Sequence, residues 1–93
     1  VIRINVSGFL TDFTGGRSTI ELESSPPTVG QALNELWRIY PGLRDRVLTE
    51  QGHVRTHVNV FLEDENIRRK ELLATPLPDN SEITILPAVS GGA

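Results

Sequence analysis

The sequence predicts an α+β domain, a mixed sheet of four to five strands wrapped around one main helix. Three observations lead there. Segments near both ends alternate apolar and polar residues with the period of two of a half-buried strand. One segment between them repeats apolar residues at helical spacing behind a capping threonine. The elements run ββ, α, β, short β, β, an order that leaves the apolar face of the helix to be covered by a sheet.

The first strand is Val1-Ile2-Arg3-Ile4-Asn5-Val6, with Ile2, Ile4 and Val6 on one face and Arg3 and Asn5 on the other. A loop containing Phe9, Leu10 and Phe13 follows. Thr14-Gly15-Gly16-Arg17 supplies residues that tolerate positive φ, and Thr19-Ile20-Glu21-Leu22-Glu23 resumes the alternation, which makes the opening a β-hairpin. Ser24-Ser25-Pro26-Pro27 breaks the strand. Thr28 then stands at an N-cap position with Gln31 at the capping-box position, so a helix begins near Val29. Val29, Leu33, Leu36 and Tyr40 recur at helical spacing until Pro41-Gly42, and Leu43, Val47 and Leu48 predict a further short helical turn.

Residues 49–56 read as a loop, and His57-Val58-Asn59-Val60-Phe61-Leu62 as a strand. Glu63-Asp64-Glu65-Asn66 supplies turn chemistry before a short strand expected around Ile67-Arg68. After a loop over residues 76–80, Glu82-Ile83-Thr84-Ile85-Leu86-Pro87 is the last strand, ended by a proline that cannot donate to a ladder. The first and last strands are both apolar and joined through the helix, so they are expected to pair in parallel at the centre of the sheet. Residues 1–87 thus form the domain, and residues 88–93 are expected to be a flexible tail.

With 93 residues there is one domain and little material for a deep cleft. Nine basic residues against twelve acidic ones give a net charge of −3, and the densest basic run, Arg68-Arg69-Lys70, lies between Glu65 and Glu71. Nucleic acid is therefore not an expected partner, since it selects a concentrated basic face. Apolar runs fall well short of the roughly 20 residues needed to span a bilayer, and the first residues alternate instead of forming a signal core. A cytoplasmic address without membrane association is the expectation. The sequence contains no cysteine, which excludes disulfides, thiolate metal sites and a cysteine nucleophile.

The element order, followed by Ala88-Val89-Ser90-Gly91-Gly92-Ala93, resembles ubiquitin and, more closely, the ThiS/MoaD-type sulfur carriers. The stretches from Val58 to Arg68 and from Ile83 to Gly92 look most like the CysO-type branch of that family, which serves cysteine synthesis. The resemblance implies a β-grasp fold and a chain that is a co-substrate of enzymes, with no catalytic residues, no metal and no cofactor bound by itself. An E1-like adenylating enzyme would use ATP and Mg to activate the terminal carboxylate of Gly92, beside Gly91. A sulfur donor would then form a thiocarboxylate, and a sulfur-acceptor synthase resembling cysteine synthase would take the sulfur. Ala93 follows Gly92, so the resemblance implies its removal, by a JAMM-type metalloprotease as in some carriers, or else an inactive form.

Physical chemistry agrees with that use of the tail. Six extended residues reach about 20 Å, enough to enter another protein's active site. Glycine leaves the carboxyl open to attack where a side chain would obstruct it. By the ubiquitin-like count, Ile83 and Ile85 belong to the core and Leu86 to the surface, while alternation from Val60 and Leu62 turns Phe61 outward. An exposed apolar pair, Phe61 and Leu86, is where this family would dock its activating enzyme.

Other constellations point elsewhere. His53 and His57 are four apart without a helical period to bring them together as metal ligands. Glu63, Asp64 and Glu65 are read as solvated turn residues, Gly15-Gly16-Arg17-Ser18 lacks the spacing and lysine of a phosphate loop, and Ser90 has no partners for a hydrolytic triad. Trp37 and Tyr40 belong to the core or its edge. Lys70 is the only lysine, which argues against a polymerising tag. Two alternatives stay open: a modifier conjugated to other proteins through Gly92, and a β-grasp interaction domain without tail chemistry.

Overall fold

A computed structural model of the chain describes residues 1–87. The strands are β1 (Ile2–Val6), β2 (Thr19–Leu22), β3 (Val58–Leu62), β4 (Glu65–Asn66) and β5 (Glu82–Pro87), and the helices are α1 (Val29–Ile39) and α2 (Pro41–Val47). They form one sheet in the order β2-β1-β5-β3-β4. β1 and β5 pair in parallel with Ile4 opposite Ile83 and Val6 opposite Ile85, and the other pairings are antiparallel. The expected parallel pair at the centre is present.

One face of the sheet and one face of α1 make the core. Ile2, Ile4, Val58, Val60, Ile83 and Ile85 meet Val29, Ala32, Leu33 and Leu36, all at 0–1% exposure. Such side chains contribute about 1.5–3 kcal/mol each on burial, so the alternation fixes which face of each strand turns inward. At the start of α1 the Thr28 hydroxyl accepts the Gln31 amide at 3.2 Å, as its cap position predicts. Tyr40 ends α1, its amide still donating to Leu36 O at 2.9 Å, and Pro41 opens α2, where its missing N–H costs nothing. Trp37 is buried, and its indole Nε1 is the one buried side-chain polar atom without a partner among the described residues.

Two segments differ from expectation. Residues 8–13, expected as a loop, form a 3-10 helix, Gly8–Phe13, that puts Leu10 fully into the core. The short strand expected around Ile67-Arg68 is instead Glu65–Asn66, and Ile67–Arg69 turns as a 3-10 helix with Ile67 buried. The Asn66 side chain explains this: its Oδ1 accepts the Arg68 amide at 3.0 Å, a local turn that competes with further strand pairing. Glu63 takes a left-handed φ of 54° in the two-residue turn between β3 and β4, which brings β4 forward.

Candidate functional site

The expected tail would leave the domain at the end of β5. Ile83 and Ile85 are fully buried, and β5 lies between β1 and β3, so it is paired on both sides as far as Ile85 and with Val58 alone at Pro87. Ser7 N donates to Ile85 O at 3.3 Å. The next bond of a parallel ladder would need an N–H at Pro87, which proline lacks, and the sheet ends there. Pro87 also packs against Gly8, whose φ is +66°; a Cβ on Gly8 would stand 2.9 Å from Pro87 Cγ. Gly91, Gly92 and Ala93, with the rest of residues 88–93, lie outside the described residues.

Phe61 and Leu86 occupy adjacent strands on the face turned away from α1. In the register Phe61 is opposite Thr84 and Leu86 opposite Asn59, so the two are diagonal neighbours about 7–8 Å apart. The expectation of an exposed pair needs correction, because both are half-buried. A shallow hollow of about 310 Å³ lined by Phe61, Asp64, Glu65, Asn66 and Arg69 borders Phe61. Toward β2 the same face is polar: Asn5 Nδ2 donates to Glu82 Oε2 at 2.6 Å, Thr19 Oγ1 donates to Asn5 Oδ1 at 3.2 Å, and Arg3 pairs with Glu21 at 3.2 Å. Phe61 and Leu86 are therefore the large apolar side chains on an otherwise hydrophilic surface.

Arg68 was not legible as a site residue, yet it holds this edge together. β4 is too short to cover the start of β3, and the guanidinium takes its place. Nη2 donates to Val58 O at 2.8 Å and Arg55 O at 2.7 Å, and Nη1 to Asn59 Oδ1 at 2.8 Å. A planar fork suits three such acceptors in a way an ammonium does not. The signal in the sequence was only a basic run, and nothing in it marks one arginine as the clamp.

The remaining candidates are dispersed. His53 lines a depression of about 600 Å³ with Val54, Leu72 and Leu73, whereas His57 lies in a different one beside Phe9. Among the described residues no group of three histidine, aspartate or glutamate side chains is placed to hold a metal ion. Glu63, Asp64 and Glu65 are exposed, Glu65 pairing with Lys70 at 3.1 Å. No helix of the described residues is long and apolar enough to cross a membrane.

Comparison with known proteins identifies this arrangement. The ThiS family matches residues 4–92. The sulfur carrier protein CysO of Mycobacterium tuberculosis is 31% identical over 93 residues, covering 98% of each chain. The chain superposes on the structure from the BexX/CysO complex of Amycolatopsis orientalis with a TM-score of 0.88 at 27% identity, over 99% of this chain and 100% of the other. The small archaeal modifier protein SAMP1 of Haloferax volcanii gives a TM-score of 0.78 at 27% identity over 98% of both chains. The sheet and helix are thus the ubiquitin-like β-grasp, and the chain belongs to the ThiS family, whose members are small carrier proteins and not enzymes.

Proposed function

We propose that this chain is a sulfur carrier activated at Gly92 and serving the synthesis of cysteine or a related sulfur metabolite. The observation that carries the reading is the extent of the family match, which runs through the β-grasp domain and stops at Gly92, leaving Ala93 outside. Removal of Ala93, by a JAMM-type metalloprotease, comes first. A carboxylate oxygen of Gly92 then attacks the α-phosphorus of MgATP on an E1-like enzyme and pyrophosphate leaves. A hydrosulfide equivalent attacks the acyl carbon, AMP departs, and a thiocarboxylate remains. Its sulfur attacks an electrophilic carbon held by a synthase resembling cysteine synthase, and hydrolysis of the acyl bond to Gly92 then frees the sulfur compound and returns the Gly92 carboxylate. The carrier contributes the nucleophilic atom and a surface to dock, while its partners supply bases, metal and charge stabilisation. That a CysO chain has been crystallised in complex with BexX supports a dedicated protein partner. Phe61 and Leu86, apolar on a polar face, one on the strand beside β5 and the other on β5 itself, are the proposed docking pair.

Intact mass spectrometry tests this directly. The form ending at Gly92, incubated with the adenylating enzyme of the source organism, MgATP and sulfide, gains about 16 Da as sulfur replaces oxygen. No gain with an enzyme that thiocarboxylates another carrier in the same assay overturns the reading. A second reading, conjugation to other proteins through Gly92, draws on the likeness to an archaeal modifier protein. It requires covalent adducts that survive reducing denaturation, and their absence from cells producing the processed form removes it.

A further inference from the structure

We infer that Phe9, Arg46, Arg55 and His57 form a basic and aromatic collar around the base of the tail that docks an acidic segment of the protein taking up the tail. The inference rests on the carrier reading above and adds to it a second contact surface, at the end of the sheet and separate from the outer face that carries Phe61.

Topology brings these residues together. β5 ends at Pro87 opposite Val58, so Arg55 and His57, just before β3, stand beside the point where the chain leaves the sheet. β1 runs parallel to β5 and ends at the same edge, and the contact of Gly8 with Pro87 places Phe9 there, half exposed at 50%. The last turn of α2 closes the ring. Arg55 Nε donates to Asp45 O at 2.9 Å, tying that turn to the segment before β3. Between them lies a depression of about 240 Å³ lined by Phe9, Asp45, Arg46, Arg55 and His57.

The charge of this edge is opposite in sign to that of the whole chain, which is −3. Asp45 is paired with Arg44 at 3.2 Å. Among the described residues Arg46 and Arg55 have no carboxylate within 4.0 Å, and Asp12 is the remaining acid on the adjoining Gly8–Phe13 turn. Arg46 is not swinging freely either: its guanidinium carbon sits 4.9 Å from the centroid of the Phe13 ring, a stacking that fixes the charge toward solvent. An exposed aromatic next to arginines already held in place is the composition of a protein-binding hot spot, and the unpaired guanidinium groups select carboxylates. A polyanionic nucleic acid fits less well, because the chain around the collar is acidic overall.

The expected partner surface is an acidic strip at the mouth of the channel that admits the tail. With the adenylating enzyme of the source organism and the form ending at Gly92, R46E, H57E and F9S each raise the KM for the carrier about tenfold while kcat stays within about twofold. For R46E, which reverses a charge, and H57E, which introduces a negative one, the rise shrinks as salt is added, with a screening length of about 10 Å at 0.1 M. R3E, at the opposite end of the sheet where Arg3 faces Glu82, leaves KM unchanged. Melting curves of every variant confirm folding, and F9S removes only a half-exposed ring. Unchanged KM in all three collar variants, or an equal rise in R3E, overturns the collar and leaves the carrier reading intact. If the wild type releases no pyrophosphate with this enzyme, the carrier reading falls instead, and the collar is judged by amide shifts on titration with a twelve-residue polyglutamate peptide, taken as about the size of one acidic loop. Saturable shifts confined to the four collar residues support it. Shifts spread over Arg3, Arg17 and Arg38, or tighter binding of a single-stranded oligonucleotide, overturn it.

Discussion

Replacing Gly8 with alanine separates two costs that the structure places at one residue. The backbone φ of +66° is left-handed, a region that costs a side chain about 1–2 kcal/mol. The added Cβ would also stand 2.9 Å from Pro87 Cγ, closer than real Cβ contacts occur, so the proline ring or the end of β5 must shift. Overpacking of this kind costs about 1–3 kcal/mol. The stiffer unfolded chain returns about 0.4–1 kcal/mol. The net expectation is a loss of about 2–3 kcal/mol, or a fall in Tm of about 10–20 °C for a domain of this size. Gly15→Ala is the matched control, because Gly15 has the same φ of +66° with nothing within 4 Å of the added Cβ. Circular dichroism melts and urea titrations of both variants give the difference, which belongs to the Pro87 contact. Equal destabilisation of the two would refute the argument that Pro87 is clamped at the sheet end by the close approach of Gly8. A Pro87→Ala change added to Gly8→Ala should recover part of the loss, as coupled neighbours do.

Arg68→Ala removes three charge-assisted hydrogen bonds, one of them to the part-buried Val58 carbonyl, and should lower stability by about 2 kcal/mol in urea unfolding, with Arg68→Lys recovering less than half because one ammonium cannot reach all three acceptors. Trp37→Phe should cost less than about 1 kcal/mol, since it removes a buried donor that has no partner, whereas Trp37→Ala should cost about 3–5 kcal/mol; a cost of about 2 kcal/mol or more for Trp37→Phe would refute the reading of the indole N–H as unpartnered. Phe61→Asp and Leu86→Asp should raise the KM for the adenylating enzyme about tenfold or more while lowering Tm by only a few degrees, and an unchanged KM would remove this pair from the docking surface.

The central elements were legible because their residues carry strong periodic signals with one physical solution. Ile2, Ile4 and Val6, and Ile83 and Ile85, can only turn one way once a helix covers the sheet, and the parallel pairing of β1 with β5 followed from the crossover. The misreadings fall where the decisive interaction is a single side chain or a backbone dihedral. Nothing in the composition of residues 7–13 separates a loop from the 3-10 turn that buries Leu10. The offset of β4 depends on Glu63 accepting a left-handed φ and on the Asn66 side chain capping the next turn. At the site, alternation placed Phe61 and Leu86 on the outer face but could not give their half-burial, which depends on neighbours across strands. The collar was illegible for a further reason: its residues come from three separate segments, and only the register that ends β5 opposite Val58 and beside Gly8 assembles them.

That register links every part of the proposed surface. The side-chain period of a strand is two, so a slip of β5 by one residue would bring Leu86 into the core and turn Ile83 and Ile85 out. It would also draw Pro87 away from Gly8 and change the length of chain beyond the sheet by about 3.3 Å. On the proposed carrier reading Gly92, five residues beyond Pro87 and so within a reach of about 17 Å, tolerates such an offset poorly, because misplacement by about 1 Å at a reacting centre can cost a hundredfold in rate. Two fully buried isoleucines oppose the slip on the inner face, and the Gly8 contact opposes it at the end. The core of this chain therefore does more than keep it folded. By holding one register, it fixes together the position of the apolar pair, the assembly of the collar and the point from which the tail starts.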